Sequence, residues 1–213
     1  MLYSVIIPYT IHMISYWIPS LFFYLVDYCV LDKENSNLKN YKSAIKKSLG
    51  NQIFISLPTL YLLKDYIYEA TERSINNNIS ETVIKILLIT NFSNLLFYIF
   101  HYLLHTRYLF NNIHYIHHEF IEPIGVAALY AHPIEHLFAN VLSFLIPVIL
   151  VGIKYWIMIL LLSFSTLVSV LSHVQYDVYL FDQSHLIHHK YFKYNYGFGG
   201  YLDKLLGTYK NNL

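Results

Sequence analysis

The sequence predicts an all-α integral membrane protein with about four to five membrane helices. Of its 213 residues, 56% are hydrophobic and 13% are charged, whereas soluble domains contain roughly 45–50% apolar and about 25% charged residues. Several apolar runs approach the length of about 20 residues that a helix needs to cross a bilayer. The histidines follow these runs, which indicates a polar site where the membrane helices end.

Charge and cysteine content exclude several classes of function. The net charge of +1 provides no basic surface for nucleic acid. Because Cys29 is the only cysteine, neither an internal disulfide nor a thiolate metal site can be built from this sequence. A metal bound by the chain must therefore be held by nitrogen or oxygen.

Residues 1–81 are predicted to form N-terminal membrane anchor helices. The first apolar run, residues 2–31, lacks the basic start and the cleavage site of a signal peptide, so we expect a retained anchor. Pro8 and Pro19 make this run either one kinked span or a re-entrant pair. A second apolar stretch, residues 52–68, is predicted to cross the membrane in the opposite direction.

Residues 82–213 are predicted to form a second domain, which carries the histidines. A third span, residues 82–104, ends on the sequence "HYLLH". Residues 137–151 and 155–171 are separated by Gly-Ile-Lys and are predicted to form a helical hairpin. The chain that follows is polar and aromatic, and its glycines mark loops and helix caps.

This arrangement predicts that the histidines and most positive charges lie on one side of the membrane. The hairpin returns both of its outer ends to that side, and the third span ends there. The lysine-rich residues 32–47 join them if the second stretch crosses fully. Ten of the 14 lysines and arginines then share this side, which the positive-inside rule assigns to the cytosol.

Eleven of the twelve histidines lie within residues 101–189. Residues three or four positions apart share a helix face, so "HYLLH" directs two imidazoles together. The sequences "HYIHH" and "HLIHH" repeat an H-x-x-H-H motif that gives one metal two ligands and turns the third toward a neighbouring metal. A single zinc or iron needs only three or four protein ligands, so eight histidines imply two metals. The eight are His101, His105, His114, His117, His118, His185, His188 and His189.

The residues between the histidines favour an oxidative centre over other metal functions. Imidazole binds zinc, copper, iron and nickel, so the ligand type alone leaves the metal open. A zinc peptidase requires H-E-x-x-H, but Tyr102, Leu103 and Leu104 separate the first pair. A zinc carrier requires ionisable residues at mid-membrane, whereas these histidines lie at helix ends. A two-iron centre that activates O2 at the cytosolic boundary fits better.

The three motifs, in this order, resemble the fatty acid hydroxylase and sterol desaturase superfamily of membrane di-iron oxidases, over about residues 83–210. The sequence "IHYIHHEFIEPIGVAALYAHPIEH" is similar to the sterol C4-methyl oxidase and cholesterol 25-hydroxylase branch. The sequences "SHVQYD" and "YLDKLLGTYK" also resemble motifs of this branch, with substitutions. In contrast, "HHKYFKYNYG" resembles the sterol C5-desaturase branch, so the signals for the substrate are mixed.

The resemblance implies further ligands beyond the three motifs. Related hydroxylases surround their metals with ten histidines, and here His173 is the first additional candidate. Asp177, His132 and His136 are less certain ligands or partners of ligands. His136 occupies a position where the family pattern does not require histidine.

The resemblance also implies an activity. Residues 82–213 would form a fatty acid hydroxylase-like di-iron domain, with two iron ions, or zinc as a replacement, and with O2 as the oxidant. Electrons would come from NAD(P)H through cytochrome b5 or a reductase, in the endoplasmic reticulum membrane. The expected substrate is a bilayer lipid, first a sterol, through C4-methyl oxidation or hydroxylation. A fatty-acyl hydroxylase, a C5-type sterol desaturase and a catalytically silent metal-binding membrane protein are the alternatives.

Overall fold

The computed structural model describes residues 3–30, 36–175 and 184–211, and within these residues the chain is helical and has no β-strand. The all-α prediction is therefore confirmed for this part of the chain. Two π-helical segments, Gln52–Ser56 and His136–Leu142, continue into helices, and two 3-10 turns span His114–Glu119 and Gly125–Leu129. Helices α1 to α11 are, in order, Tyr3–Val30, Ser36–Asn51, Leu57–Leu62, Lys64–Glu72, Ile79–Leu104, Arg107–Asn112, Pro133–Glu135, Ser143–Val151, Tyr155–Leu171, Ser184–Tyr191 and Tyr201–Leu206.

Among the described residues, three helical stretches are long and apolar enough to cross a membrane: Tyr3–Cys29, Ile79–Leu104 and Pro133–Val151. Helix α9 is also apolar but has only 17 residues. Helix α1 runs without interruption through Pro8 and Pro19, so the first apolar run is one helix and not a re-entrant pair. By length and composition the structure thus supports three spans and a shorter fourth helix, where the sequence predicted four to five.

The predicted span at residues 52–68 is instead a broken helix. The π-helical segment Gln52–Ser56 continues into α3, and Leu63 then leaves helical geometry with φ −95° and ψ 4°. Helix α4 begins immediately afterwards with Lys64 and Asp65, whose charged groups lie 3.4 Å apart and whose side chains reach solvent-accessible surface. The charged pair therefore lies at the start of a new helix, where both side chains are accessible to solvent.

The long helices pack side by side into a bundle with two ends. At the end that carries the histidines, called here the histidine end, α5 and α9 both finish. At the opposite end the Tyr155 hydroxyl donates to the Tyr3 carbonyl at 3.0 Å, and Arg73 donates to the Ile149 carbonyl at 2.7 Å. Helix α1 packs along α9 and α5 packs along α8. The two arms of the predicted hairpin therefore have different main packing partners.

Helix α2 lies across the histidine end, against the 3-10 turn Gly125–Leu129. Ser48 Oγ donates to the Val126 carbonyl at 3.0 Å, and Asn51 Nδ2 donates to the Leu129 carbonyl at 3.0 Å. The lysines of α2 therefore stand at the same end as the histidines. The division of the chain at residues 81 and 82 stays a prediction, and the contacts of α1 and α2 join its two parts.

Two apolar cores support the bundle. One lies toward the opposite end and includes the fully buried Ile67, Val148 and Ile153. The other packs the turn Gly125–Leu129 against α1, α2 and α9. Gly125 itself is closely surrounded, because a Cβ added there would lie 3.1 Å from Val170 Cγ1. The histidine end therefore rests on tightly packed apolar side chains.

Candidate metal centre

Four elements meet at the histidine end and bring together nine of the predicted ligands. They are the end of α5, the 3-10 turn His114–Glu119, the residues just after α9, and α10. Eight of the nine imidazoles are buried, and His105 is half-buried. The nine are His101, His105, His114, His117, His118, His173, His185, His188 and His189.

The nine histidines form two groups, called here the first and second clusters. Within each cluster, one ring nitrogen from every member lies within 4.8 Å of the others. Each H-x-x-H-H motif contributes to both clusters, as its spacing predicted. The first cluster contains His101, His105, His114, His118 and His188, and the second contains His117, His173, His185 and His189.

In the first cluster the Nε2 atoms converge. His114 Nε2 lies 3.2 Å from His101 Nε2, 2.9 Å from His105 Nε2 and 3.0 Å from His118 Nε2. His188 Nε2 lies 3.1 Å from His105 Nε2 and 3.2 Å from His118 Nε2. These five imidazoles therefore direct the same ring nitrogen toward one small region.

The second cluster has the same arrangement with four members. His173 Nε2 lies 3.3 Å from His117 Nε2 and 3.2 Å from His185 Nε2. His189 Nε2 lies 3.2 Å from His185 Nε2. The two clusters adjoin, since the ring centres of His118 and His189 are 4.7 Å apart.

The Nδ1 atoms of five cluster histidines bond to backbone carbonyls. A carbonyl can only accept, so each of these imidazoles carries its proton on Nδ1 and keeps a lone pair on Nε2. Such bonds from the second ring nitrogen are typical of metal-binding histidines, whose orientation they fix. The five bonds are His101 to Tyr196 at 2.8 Å, His188 to Tyr194 at 2.7 Å, His117 to Tyr130 at 3.1 Å, His173 to Ser169 at 2.8 Å, and His189 to Phe120 at 2.9 Å.

This protonation pattern tests whether the residues fit a metal. His117 and His173 both have their proton on Nδ1, so their Nε2 atoms, 3.3 Å apart, cannot hydrogen-bond to each other. Two lone pairs at this distance repel unless a cation lies between them. Imidazole nitrogens bind zinc at about 2.0–2.1 Å, which places neighbouring ligand nitrogens roughly 3 to 3.4 Å apart. The donor set of each cluster therefore fits a metal ion.

Burial keeps these imidazoles neutral, as metal ligation requires. Loss of hydration lowers the pKa of His117 to about 4. Loss of hydration, followed by the nearby His117, lowers the pKa of His173 to about 3. Both pKa values lie below the ordinary value of about 6.5, so at neutral pH both side chains offer a lone pair.

Glu135 is a site residue that was absent from the predicted ligands. It is fully within the protein, and its Oε2 lies 2.9 Å from His114 Nδ1. The contact lacks the geometry of a hydrogen bond, but a carboxyl group beside the second ring nitrogen is a common partner of metal-binding histidines. The sequence signal for Glu135 is its place in "YAHPIEH", part of the segment that resembles the sterol C4-methyl oxidase and cholesterol 25-hydroxylase branch.

Two of the less certain predicted ligands, His132 and His136, do not join the clusters. His132 caps α7, because its Nδ1 accepts from the Ile134 N–H at 3.2 Å. His136 is buried on the other face of the following turn, where its Nε2 lies 2.8 Å from Ser56 Oγ. Asp177 lies outside the described residues.

Asp203 fixes the loop that supports the first cluster. Its Oδ1 accepts from the Tyr196 N–H at 2.7 Å and from the Thr208 hydroxyl at 2.7 Å, and its Oδ2 accepts from the Gly197 N–H at 2.9 Å. The Tyr196 carbonyl in turn accepts from His101. The sequence "YLDKLLGTYK" therefore positions a ligand through the backbone.

Two cavities adjoin the clusters. A small one of about 20 Å³ touches both clusters, and Glu135 also lines it. A larger one of about 400 Å³ lies between α1, α5, α8 and α9. Phe97, Phe198 and Ser169 line both cavities, and the two phenylalanine rings stack at 4.2 Å between centres. The larger cavity thus shares part of its wall with the small cavity at the histidines.

Comparisons with known proteins agree with this site. The model of the "Fatty acid hydroxylase" family matches residues 86–208, which is more than half of the chain and includes every cluster histidine. The chain is 31% identical over 171 residues to fatty acid hydroxylase domain-containing protein 2 of Homo sapiens, covering 78% of this chain and 51% of the relative. The chain thus spans about half the length of that curated relative.

Two other relatives are named for their substrates. Over 197 residues the chain is 26% identical to sphinganine C4-monooxygenase 2 of Arabidopsis thaliana, covering 84% of this chain and 75% of the relative. Over 67 residues it is 37% identical to methylsterol monooxygenase 2-1 of the same plant, covering 30% of this chain and 25% of the relative. No solved structure matches the chain.

Proposed function

Because the chain belongs to the fatty acid hydroxylase family, we propose that it is a membrane-bound di-iron oxygenase that uses O2 to oxidise a lipid. One observation carries the proposal: nine histidines converge through their Nε2 atoms into two adjoining clusters. The first cluster would hold one iron ion and the second cluster the other. When bound, the irons would supply the reductive activation of O2 that is needed to oxidise an unactivated C–H bond.

The residues around the clusters perform three tasks in this function. The backbone carbonyls hold the imidazoles in the orientation that ligation requires, and Glu135 lies beside His114. The stacked Phe97 and Phe198 line both cavities and would limit the entry of water to the clusters. The larger cavity accepts the substrate, and it opens toward lipid beside the exposed Phe164.

The substrate proposal begins from a sterol, through C4-methyl oxidation or hydroxylation. Fatty-acyl hydroxylation and C5-type sterol desaturation remain the alternatives. A relative named methylsterol monooxygenase supports the sterol, and a relative named sphinganine C4-monooxygenase supports a long-chain lipid. The apolar lining of the larger cavity fits either class of molecule.

The positive charge at the histidine end supports a cytosolic orientation, and the sequence supports an external supply of electrons. Helix α2 presents Lys42 and Lys46 there, and Lys47 lies over the Tyr130 ring at 5.0 Å. The positive-inside rule supports a cytosolic orientation of this end, as in an endoplasmic reticulum enzyme. Electrons would reach the site from NAD(P)H through cytochrome b5 or a reductase, since the sequence has no glycine-rich dinucleotide loop.

Metal analysis and lipid analysis test this function together. Purified full-length protein should contain about two iron ions per chain, or zinc as an adventitious replacement, in line with the two clusters. Expression in sterol-pathway mutants that lack C4-methyl oxidase or C5-desaturase should restore a sterol product or yield a new oxidised lipid.

The control for this test is His132→Ala, because His132 is a histidine outside both clusters. This variant should behave as the wild type, whereas His188→Ala should yield no product. An intact preparation without metal would contradict the proposal. Two bound metals with an unchanged lipid profile, despite a supplied electron donor, would instead favour the catalytically silent metal-binding protein.

A further inference from the structure

Two histidines outside the clusters line the larger cavity. His12 stands on α1 and His136 on the π-helical segment before α8, both within stretches long and apolar enough to cross the membrane. Histidines within membrane helices are uncommon, and they usually face a cavity or a substrate path. Neither histidine belongs to the metal clusters, so their shared cavity requires a different explanation.

His12 belongs to a directed chain of hydrogen bonds across three elements. Trp17 Nε1 donates to Gln52 Oε1 at 2.8 Å, and Gln52 Nε2 is therefore the group that meets His12 Nε2, at 3.3 Å. Because this amide donates, the proton of His12 lies on Nδ1 and is donated to Thr166 Oγ1 at 3.1 Å. The Thr166 hydroxyl donates to the Leu162 carbonyl at 2.8 Å. One lone pair of Thr166 Oγ1 then remains to accept a bond in the cavity.

His136 leads to a complementary group on the same cavity. Asn140 Nδ2 approaches His136 Nδ1 at 3.4 Å, and His136 Nε2 lies 2.8 Å from Ser56 Oγ. If the amide donates to Nδ1, the imidazole donates from Nε2 to Ser56, which leaves the serine proton available. Ser56 lies four residues after Gln52, about one helical turn along the wall. Thr166 and Ser56 thus offer an acceptor and a donor to the same cavity, and one hydroxyl group can use both.

The charge of the cavity restricts what it can accept. Among the described residues that line it there is no Asp, Glu, Lys or Arg. Burying a carboxylate or a phosphate without a cationic partner is strongly unfavourable. The occupant is therefore an uncharged lipid, which excludes a free fatty acid or a phospholipid headgroup at this position.

The depth of this subsite constrains where oxidation occurs. Thr166 lies seven residues before His173, which is about 10 Å along a helix at 1.5 Å per residue. A hydroxyl held at Thr166 would therefore stand roughly this far from the second cluster. Of the two sterol reactions proposed above, this separation favours hydroxylation at a carbon remote from the hydroxyl over C4-methyl oxidation, where the two groups are neighbours.

We propose that Thr166 and Ser56, oriented by His12 and His136, form a subsite that binds the hydroxyl group of an uncharged lipid alcohol. The choice of the oxidised carbon rests on the proposed function, whereas binding at this subsite does not. His12, Gln52 and Ser56 precede the residues matched by the family model. The subsite is therefore assigned from the contacts of this chain.

A binding experiment without turnover tests this subsite. Full-length protein in lipid nanodiscs, without an electron donor, is titrated with tritiated cholesterol and, separately, with tritiated 1-hexadecanol. The unlabelled competitors are the same alcohol, its counterpart without the hydroxyl (cholest-5-ene or hexadecane), and palmitate. At least one alcohol should bind saturably and compete about five- to tenfold better than its hydroxyl-free counterpart, as one hydrogen bond predicts. Palmitate should not compete.

Thr166→Val and Ser56→Ala should each weaken alcohol binding about five- to tenfold and leave the hydroxyl-free competitor unaffected. The matched control is Ser163→Ala. Ser163 Oγ also bonds across α1 and α9, to Ser15 Oγ at 2.7 Å, but neither serine lines the cavity. Because the two test residues stand on different helices, one misfolded variant leaves the other to decide the result.

Three results would overturn the subsite: no saturable binding of either alcohol, equal competition by the hydroxyl-free lipid, or test variants that behave as Ser163→Ala does. Metal content is measured on the same samples. If the protein holds two metals and oxidises lipid but shows no preference for the hydroxyl group, only the proposed subsite is contradicted. If the protein binds the alcohol through its hydroxyl group but contains no metal, only the proposed oxygenase function is contradicted.

Discussion

The two clusters use the same side chain but are supported by different parts of the molecule. In the second cluster, His173 bonds to a carbonyl of its own helix α9, and His117 and His189 bond to carbonyls beside the apolar core. In the first cluster, His101 and His188 bond to carbonyls of the loop before α11. One centre is therefore held by the folded bundle and the other by a short C-terminal segment. The two should be separable by mutation.

The largest effect should come from removing a ligand of either cluster. His188→Ala in the first cluster and His117→Ala in the second should each lower turnover by more than the roughly 10- to 100-fold typical of losing an outer partner. Each should lose about one metal ion per chain, because the other cluster keeps its ligands. Elemental analysis and lipid product analysis on the same preparation measure both effects.

The control for these ligand variants is membrane insertion, which should match the wild type because neither residue belongs to a predicted span. Loss of both metals in either single variant would contradict independent support of the clusters. Wild-type turnover in either variant would contradict the proposal that the di-metal site carries out the reaction.

Asp203→Asn should affect the first cluster alone. The amide replaces one carboxylate oxygen with an N–H2 group that faces the N–H donors of Tyr196 or Gly197. The carbonyl that orients His101 would shift, and affinity for the first metal should fall about 10- to 100-fold. Residual metal after titration with a chelator measures this loss.

Combined variants show which cluster Asp203 serves. Asp203→Asn added to His188→Ala should remove little further metal, whereas added to His117→Ala it should empty both clusters. Asp65→Asn is the control, because Asp65 pairs with Lys64 away from the histidines. Equal loss from both clusters in Asp203→Asn would show that the C-terminal loop supports the whole end.

The structure brings the histidines of the three motifs together as their spacing indicated, because this information is local, and their role as ligands stays a prediction. The spacing in "HYIHH" and "HLIHH" turns neighbouring imidazoles toward different partners, and the structure divides both motifs between the two clusters. The apolar runs likewise predicted α1, α5 and α9 nearly to the residue, since length and hydropathy set the bounds of membrane helices.

The groups that orient the ligands could not be predicted in the same way. Five of them are backbone carbonyls, which carry no residue signature, and Asp203 acts through backbone N–H groups. The break at Leu63 was also missed, because the apolar residues on both sides of Lys64 and Asp65 resemble a continuous span. Such features depend on contacts between distant segments.

Glu135→Gln should have a smaller effect than a change at Asp203. The substitution keeps the shape of the side chain beside His114 Nδ1 and removes the group that can ionise there. We expect metal to be retained and turnover to fall about tenfold, the lower end of what an outer partner contributes. Glu122→Gln, an exposed change on the loop after the 3-10 turn, should leave both unchanged. Loss of metal in Glu135→Gln would show that the charge itself holds the first cluster.

The smallest effect concerns the packing beneath the second cluster, and it should have opposite signs at two glycines. In Gly125→Ala the new Cβ would lie 3.1 Å from Val170 Cγ1 and 3.3 Å from Val174 Cγ1, so overpacking should lower the free energy of unfolding by about 1–3 kcal/mol. In Gly50→Ala nothing lies within 4 Å of the new Cβ, and alanine favours the helix α2 by about 0.5–1 kcal/mol. Thermal unfolding in one detergent compares the two variants.

Because the turn after Gly125 leads to the carbonyl that orients His117, destabilisation should lower metal affinity of the second cluster before that of the first. The reverse order would show that the bundle does not support this cluster through the turn.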